Sequence, residues 1–238
     1  MKTLKQIRDQ VIEDLDLDEE TFVSETDLNR WINDAITLAE AEIHTLYQDY
    51  FLSEAVITAV AGQASYDFPS DIYANMIRKI VYRAGDGDNI ETHEVKRVRN
   101  LMEAKEEDLY NTTSSSAILR WSPINDAATG RKIRVFPKRS RDGFFDVFYI
   151  RNAKVLVLDD DVCDIDEFEI YIMQHAKTEA YLKDGDPRTA DSKALEESYQ
   201  AKMILTLAEM VPDNNNEIDM DFTHYEDSAG SGYYENEY

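Results

Sequence analysis

The sequence predicts an α+β protein: a helical bundle from N- and C-terminal helices, an inserted antiparallel β-rich domain, and a flexible C-terminal tail. Three observations predict it. Apolar residues recur at helical spacing through the first 50 residues and again after residue 159. Between them, residues 51–158 alternate with period two and are rich in β-branched and aromatic side chains. Each helix carries one apolar stripe and needs a partner, so helices at opposite ends of the chain pack together. The expected organisation is 1–50 and 159–210 for the bundle, 51–158 for the β insertion and 211–238 for the tail.

Thr3 and Gln6 form a capping box ahead of Leu4, Ile7, Val11 and Leu15. An acidic loop from Asp16 to Glu20 ends this first helix, and Ser24 with Asp27 starts the next. Leu28, Ile32, Ala35, Ala39, Ile43, Leu46 and Tyr50 then mark one face of a long helix, widened by Trp31. Strands are expected at Phe51–Val60 and, after a turn at Gly62, at Ala64–Phe68. Met76–Tyr82 and Asn89–Val95 flank Gly85-Asp86-Gly87-Asp88, a hairpin signal. Val98–Leu109 reads as a short charged helix and Thr112–Ser116 as a polar loop. Ala117–Trp121 and Lys132–Phe136 are strands joined through Thr129-Gly130. Phe144–Ile150, apolar on both faces, reads as a central strand. Phe168, Tyr171, Ile172, Ala176 and Ala180 form one helical stripe, and Ala194, Leu195, Tyr199, Met203 and Leu207 another. Asp184-Gly185-Asp186-Pro187 makes the turn between them. From Val211 onward there are eight carboxylates and no Lys or Arg, with Gly230 and Gly232 among them, so this segment reads as a flexible tail.

With 49 acidic and 25 basic residues the net charge is −24. That balance discourages contact with DNA phosphates, and a sequence-specific DNA reader carries the opposite one. A single cysteine, Cys163, forms no internal disulfide, and its acidic neighbours Asp159 to Asp161, Asp164 and Asp166 make it a poor nucleophile. The sequence opens on a helical pattern with no signal peptide and has no apolar run long enough for a membrane span, so a soluble intracellular protein at synthesis is expected.

Chemistry finds few footholds. His44, His93, His175 and His224 lie far apart without metal-ligand spacing. Calcium loops begun at Asp86, Asp159 or Asp213 place Glu91, Asp164 or Ile218 where the turn glycine belongs. An irregular oxygen site in Asp159–Glu169 competes with a plainer reading, a solvated loop in which Asp164 or Asp166 caps the next helix. Phosphate-binding, dinucleotide and nucleophile-elbow motifs are absent, so no catalytic residue, metal or cofactor is assigned. One charge island stands out: Arg131, Lys132, Arg134, Lys138, Arg139 and Arg141 fall within eleven residues. They either pair with acids of their own subunit or contact an acidic neighbour such as another copy.

Several stretches, in order, resemble the head-to-tail adaptors of tailed phages. They are Leu4-Lys5-Gln6-Ile7-Arg8-Asp9-Gln10-Val11, then Trp31-Ile32-Asn33-Asp34-Ala35 leading to Glu42-Ile43. Gly62-Gln63-Ala64-Ser65-Tyr66-Asp67-Phe68-Pro69-Ser70-Asp71 follows, and Ala180-Tyr181-Leu182-Lys183-Asp184-Gly185-Asp186 completes the set. The resemblance implies a non-enzymatic virion protein of the neck. It would form a homo-oligomeric ring, commonly of twelve copies, between the portal and a tail or stopper protein, around passing DNA that is not read in sequence. Residues 211–238 would be the portal-docking arm, with Phe222, Tyr225, Tyr233, Tyr234 and Tyr238 as contacts, since such side chains bury area and tyrosine keeps a polar end. The basic island and this tail match no part of the family pattern. Two rival readings are an acidic DNA mimic that inhibits a DNA enzyme and a hydrolase with a carboxylate or calcium site.

Overall fold

A computed structural model describes residues 1–16, 22–85, 90–98, 113–114, 118–126, 128 and 130–210. The charged helix expected from Val98 and the tail lie outside them, apart from Val98 itself. Helix α1 (Leu4–Leu15) begins at the capping box: the Thr3 hydroxyl accepts from the Gln6 amide at 3.3 Å, and the Gln6 side chain accepts from the Thr3 amide at 3.0 Å. Ser24 and Asp27 cap α2 (Glu25–Leu46) in the same reciprocal way.

Among the described residues the β part holds ten strands: β1 (Leu52–Ala59), β2 (Ser65–Asp67), β3 (Ile72–Ala84), β4 (Glu91–Glu94), β5 (Lys96–Arg97), β6 (Thr113–Ser114), β7 (Arg120–Asp126), β8 (Gly130–Phe136), β9 (Lys138–Arg139) and β10 (Gly143–Arg151). They form sheets ordered β1-β10-β3-β4 and β2-β8-β7-β5, plus the β6-β9 pair. All pairings are antiparallel except the two-residue β5-β7 and β6-β9 ladders. β10 lies between β1 and β3, as its two-faced apolar pattern requires. Tyr82, Phe145, Val147 and Tyr149 from the first sheet meet Tyr66, Trp121, Ile133 and Val135 from the second in one buried cluster.

Two further helices complete the bundle, α3 (Glu169–Asp184) and α4 (Thr189–Met210). Gly185, at φ 72°, ends α3 in the left-handed conformation that favours glycine. Helix α3 touches each of the other three helices. It therefore buries Gln174, His175 and Thr178 as well as the expected apolar stripe. Gln174 and Thr178 are satisfied by Ser192 of α4, at 2.8 and 3.0 Å.

Some expectations are corrected. The strand expected at Ala117–Trp121 runs instead from Arg120 to Asp126, through Pro123. Its β5 neighbour spans only Lys96 and Arg97, so at Pro123 that side needs no amide. Thr113–Ser114, expected within a loop, pairs with Lys138–Arg139, a strand too short to show a period. On α4, Ala194 and Leu195 are exposed, and the buried positions are Ser192, Met203 and Leu207. Asp164 caps no helix. It binds the Arg151 guanidinium and accepts from the Lys154 amide at 3.2 Å, and α3 begins at Phe168 without a side-chain cap.

Sheet and bundle join through the base of the first sheet and the start of β3. Phe51 and Ile150, flanking the paired ends of β1 and β10, are both buried in the helical core. In β3, Ala74 and Asn75 have positive φ (45° and 60°), and a register irregularity follows. This bulge lets Tyr73 and Met76 pack on the bundle, while Ile77 and Ile80 serve the β core. Tyr73 stacks on His44, ring centroids 3.6 Å apart. The connection from β10 to α3 is strapped to α2 by side chains. Glu40 accepts from the Ala153 amide (2.8 Å), and Asn33 takes both the amide and the carbonyl of Leu156 (2.9 Å each).

Replacing Asn33 by Ala strips both backbone partners from buried Leu156 and should cost about 2–3 kcal/mol. Thr37→Ala, which loses only an exposed bond to its own helix, should cost under about 0.5 kcal/mol. Urea unfolding of the two variants side by side checks both values.

Candidate functional site

Alternation along β8 turns Ile133 and Val135 into the β core and sets Lys132 and Arg134 on the opposite face. The register brings two cations beside them that the linear reading missed. Ser122 of β7 stands opposite Arg134, Arg120 lies two pairs further along on the same face, and Lys96 of β5 stands opposite Arg120. A diagonal of Lys132, Arg134, Arg120 and Lys96 thus crosses three strands. Only cross-strand pairing reveals it, because Lys96 and Lys132 are far apart in sequence. Lys132 also faces Asp67 of β2 at 3.3 Å, an exposed pair of small energetic weight.

The rest of the basic island disperses. Arg131 points to the other face and donates to Asn75 at 3.2 Å. Lys138 is exposed on β9. Arg139 is buried, with its guanidinium 4.4 Å from the centre of the Tyr82 ring, and its carbonyl accepts from the Gly62 amide at 2.8 Å. Arg139 thereby anchors the Gly62-Gln63 turn, where Gly62 adopts φ 78° and the Tyr66 hydroxyl donates to the Gln63 carbonyl at 3.1 Å. Arg141, exposed, lines a cavity of about 530 Å³ with Arg83, Phe144 and Thr58. The Arg83 guanidinium is held there by the Asp146 carboxylate, which raises its pKa. Phe222, Tyr225, Tyr233, Tyr234 and Tyr238 lie outside the described residues.

The acids sit elsewhere. Asp9, Glu13, Asp34, Asp191 and Glu197 are exposed on the helices. In the β10–α3 connection, Asp161 accepts from the Val157 and Leu158 amides (2.8 and 2.7 Å) and pairs with Lys154. The Lys154 bond and these amides hold its pKa down to about 2. Among the described residues no group of three or more His, Cys, Asp or Glu side chains is arranged to hold a metal ion, and no helix is long and apolar enough to cross a membrane. Cys163 is buried in the helical core.

A histidine–carboxylate pair joins two helices: His175 Nδ1 of α3 is 2.7 Å from Glu196 Oε1 of α4. Burial works against the imidazolium, but the Glu196 hydrogen bond and charge, with Glu179 and Asp34, outweigh it and raise the His175 pKa above 6.5. Burial also opposes the Glu196 carboxylate, and bonds from His175 and Thr178 overcome it, so its pKa falls below 4.5. The histidine's contribution to stability is complete below 6.5 and is lost as pH rises through its raised value. The glutamate's is complete above 4.5 and is lost as pH falls through its depressed value. The pair is therefore strongest between 4.5 and 6.5. His44, whose pKa burial lowers, changes stability with the opposite sign but equally in a His175→Gln variant. The melting-temperature gap between native protein and His175→Gln should be widest near pH 5.5 and shrink steadily by pH 9, as thermal scans across that range will read.

No curated protein matches the chain. The model of the SU10 adaptor protein family matches residues 2–221, from ahead of α1 to beyond α4. With four helices framing a mostly antiparallel β part, as the ordered motifs implied, the chain belongs to the SU10 adaptor family of phage adaptor proteins.

Proposed function

We propose that this protein is the structural head-to-tail adaptor of a phage virion. It forms a ring of twelve copies that joins the portal to a tail or stopper protein and frames the DNA channel. The observation that carries this reading is the family match across nearly the whole chain. The mechanism is assembly rather than catalysis. The acidic helices repel passing phosphates, which lowers friction on DNA that is not read in sequence. The cation diagonal of the second sheet gives each copy a basic surface, while the helices give it an acidic one. Two unlike surfaces on one chain suit a heterologous contact that closes into a ring. Residues 211–238 serve as the portal-docking arm and become ordered only on contact, which ties assembly to the presence of the portal.

Two measurements test this. A chain lacking residues 212–238 should keep its melting temperature within about 2 °C yet fail to co-purify with portal rings from infected cells; full portal capture by it would overturn the arm. Recovery of a host DNA enzyme instead of the portal by the intact protein would favour the DNA-mimic reading. Lys96→Glu with Lys132→Glu should leave a folded subunit whose self-association drops at least tenfold, read by native mass spectrometry across a salt series. Unchanged association would remove the basic patch from the subunit contact.

A further inference from the structure

β1 is an edge strand with nothing on its outer side among the described residues: it pairs only with β10. Its eight residues run in unbroken register from Leu52 opposite Ile150 to Ala59 opposite Gly143. β1 contains no proline, no lysine and no bulge, and Glu54 is its single charge. Leu52 and Val56 are 50% and 57% exposed on the face that β10 continues with Phe148 and Phe144, the latter 48% exposed. The result is a row of open backbone donors and acceptors beside a mixed band, in which Glu54 separates Leu52 from Val56 and Asp146 separates Phe148 from Phe144.

The same chain carries a segment with the matching pattern. Glu217-Ile218-Asp219-Met220-Asp221-Phe222-Thr223 alternates strictly, with Ile218, Met220 and Phe222 on one side and carboxylates on the other. Laid along β1, its apolar side extends the band of Leu52, Val56 and Phe148, and its carboxylates face away. We propose that this segment of a second copy adds to β1 as an edge strand, so that each copy donates one strand and accepts one.

The path of α4 favours a second copy over the same chain. Met203 and Thr206 flank Phe168, Phe168 stacks with Tyr50, and Met210 packs on the core that holds Phe51. The chain thus leaves α4 beside the start of β1. Residues 211–217 span about 25 Å when straight, close to the full length of β1. The same chain reaches the antiparallel register, the more stable one, only with that linker fully stretched. A neighbour has no such restriction. Donor and acceptor differ, so the contact propagates in one direction and closes as a ring.

This inference rests on the ring reading, adds a strand contact to the charge contact proposed above, and narrows the portal-docking arm to the residues beyond Thr223, with Tyr225, Tyr233, Tyr234 and Tyr238. The test mixes two full-length chains, one with Val56→Cys and one with Met220→Cys, in a glutathione redox buffer. The native chain, with Cys163 buried, is the blank, and Leu205→Cys, 65% exposed on α4, controls for chance collision. A 56–220 disulfide heterodimer at least tenfold above the 205–220 product is expected. Thr58→Cys replaces Val56→Cys if that variant melts early. No enrichment at either position overturns the proposal, and so does a chain carrying both cysteines that closes only on itself. The trap reads contact between copies and portal capture reads the adaptor role, so each can fail without the other.

Discussion

Leu52 and Ile150 stand opposite each other where β1 begins and β10 ends, and Phe51 and Ile150 are sealed among the helices. This base joins two hydrophobic cores that otherwise share few residues. The strap from Asn152 to Asp164 has little secondary structure of its own, so its backbone groups are satisfied by Glu40, Asn33, Asp161 and Asp164. The four polar side chains therefore determine how the sheets sit on the bundle, although none lies in either core. The Ala74-Asn75 bulge acts with them by turning the start of β3 toward His44.

Charge is distributed by element rather than evenly. In a chain of net charge −24, the helices expose carboxylates while one face of the second sheet gathers lysine and arginine from β5, β7 and β8. Such separation leaves fold stability nearly untouched, because exposed pairs contribute little. It gives the surface a polarity instead, and polarity governs encounter and orientation more than affinity.

Much of this was legible in the sequence, for reasons that differ by element. Both capping boxes were readable because they are local chemistry, fixed by residues three apart. The placement of β10 followed from its two apolar faces, and the α3–α4 turn from Gly185. What stayed hidden depended on pairing at a distance. Pro123 is tolerated because β5 stops after two residues, which nothing near Pro123 announces. Asp164 resembled a cap by position and became a partner of Arg151 through folding. The basic island was visible as a cluster, yet its members diverge: Arg139 goes inward to Tyr82, while Lys96 and Arg120 join from other strands. The family resemblance was carried by the order of motifs, and that order spans the residues the family model matches.

The bundle's topology also sets a timetable for biosynthesis. α1 and α2 emerge first, but the helix that both pack against, α3, starts only at Glu169. At about 5–20 residues per second the ribosome needs roughly 10–35 s to pass from α1 to the end of α3. During that interval α2 can pack on α1 but lacks its α3 partner, and β1 waits nearly as long for β10. Premature termination inside the β part therefore leaves α1 and α2 without the helix that covers them both.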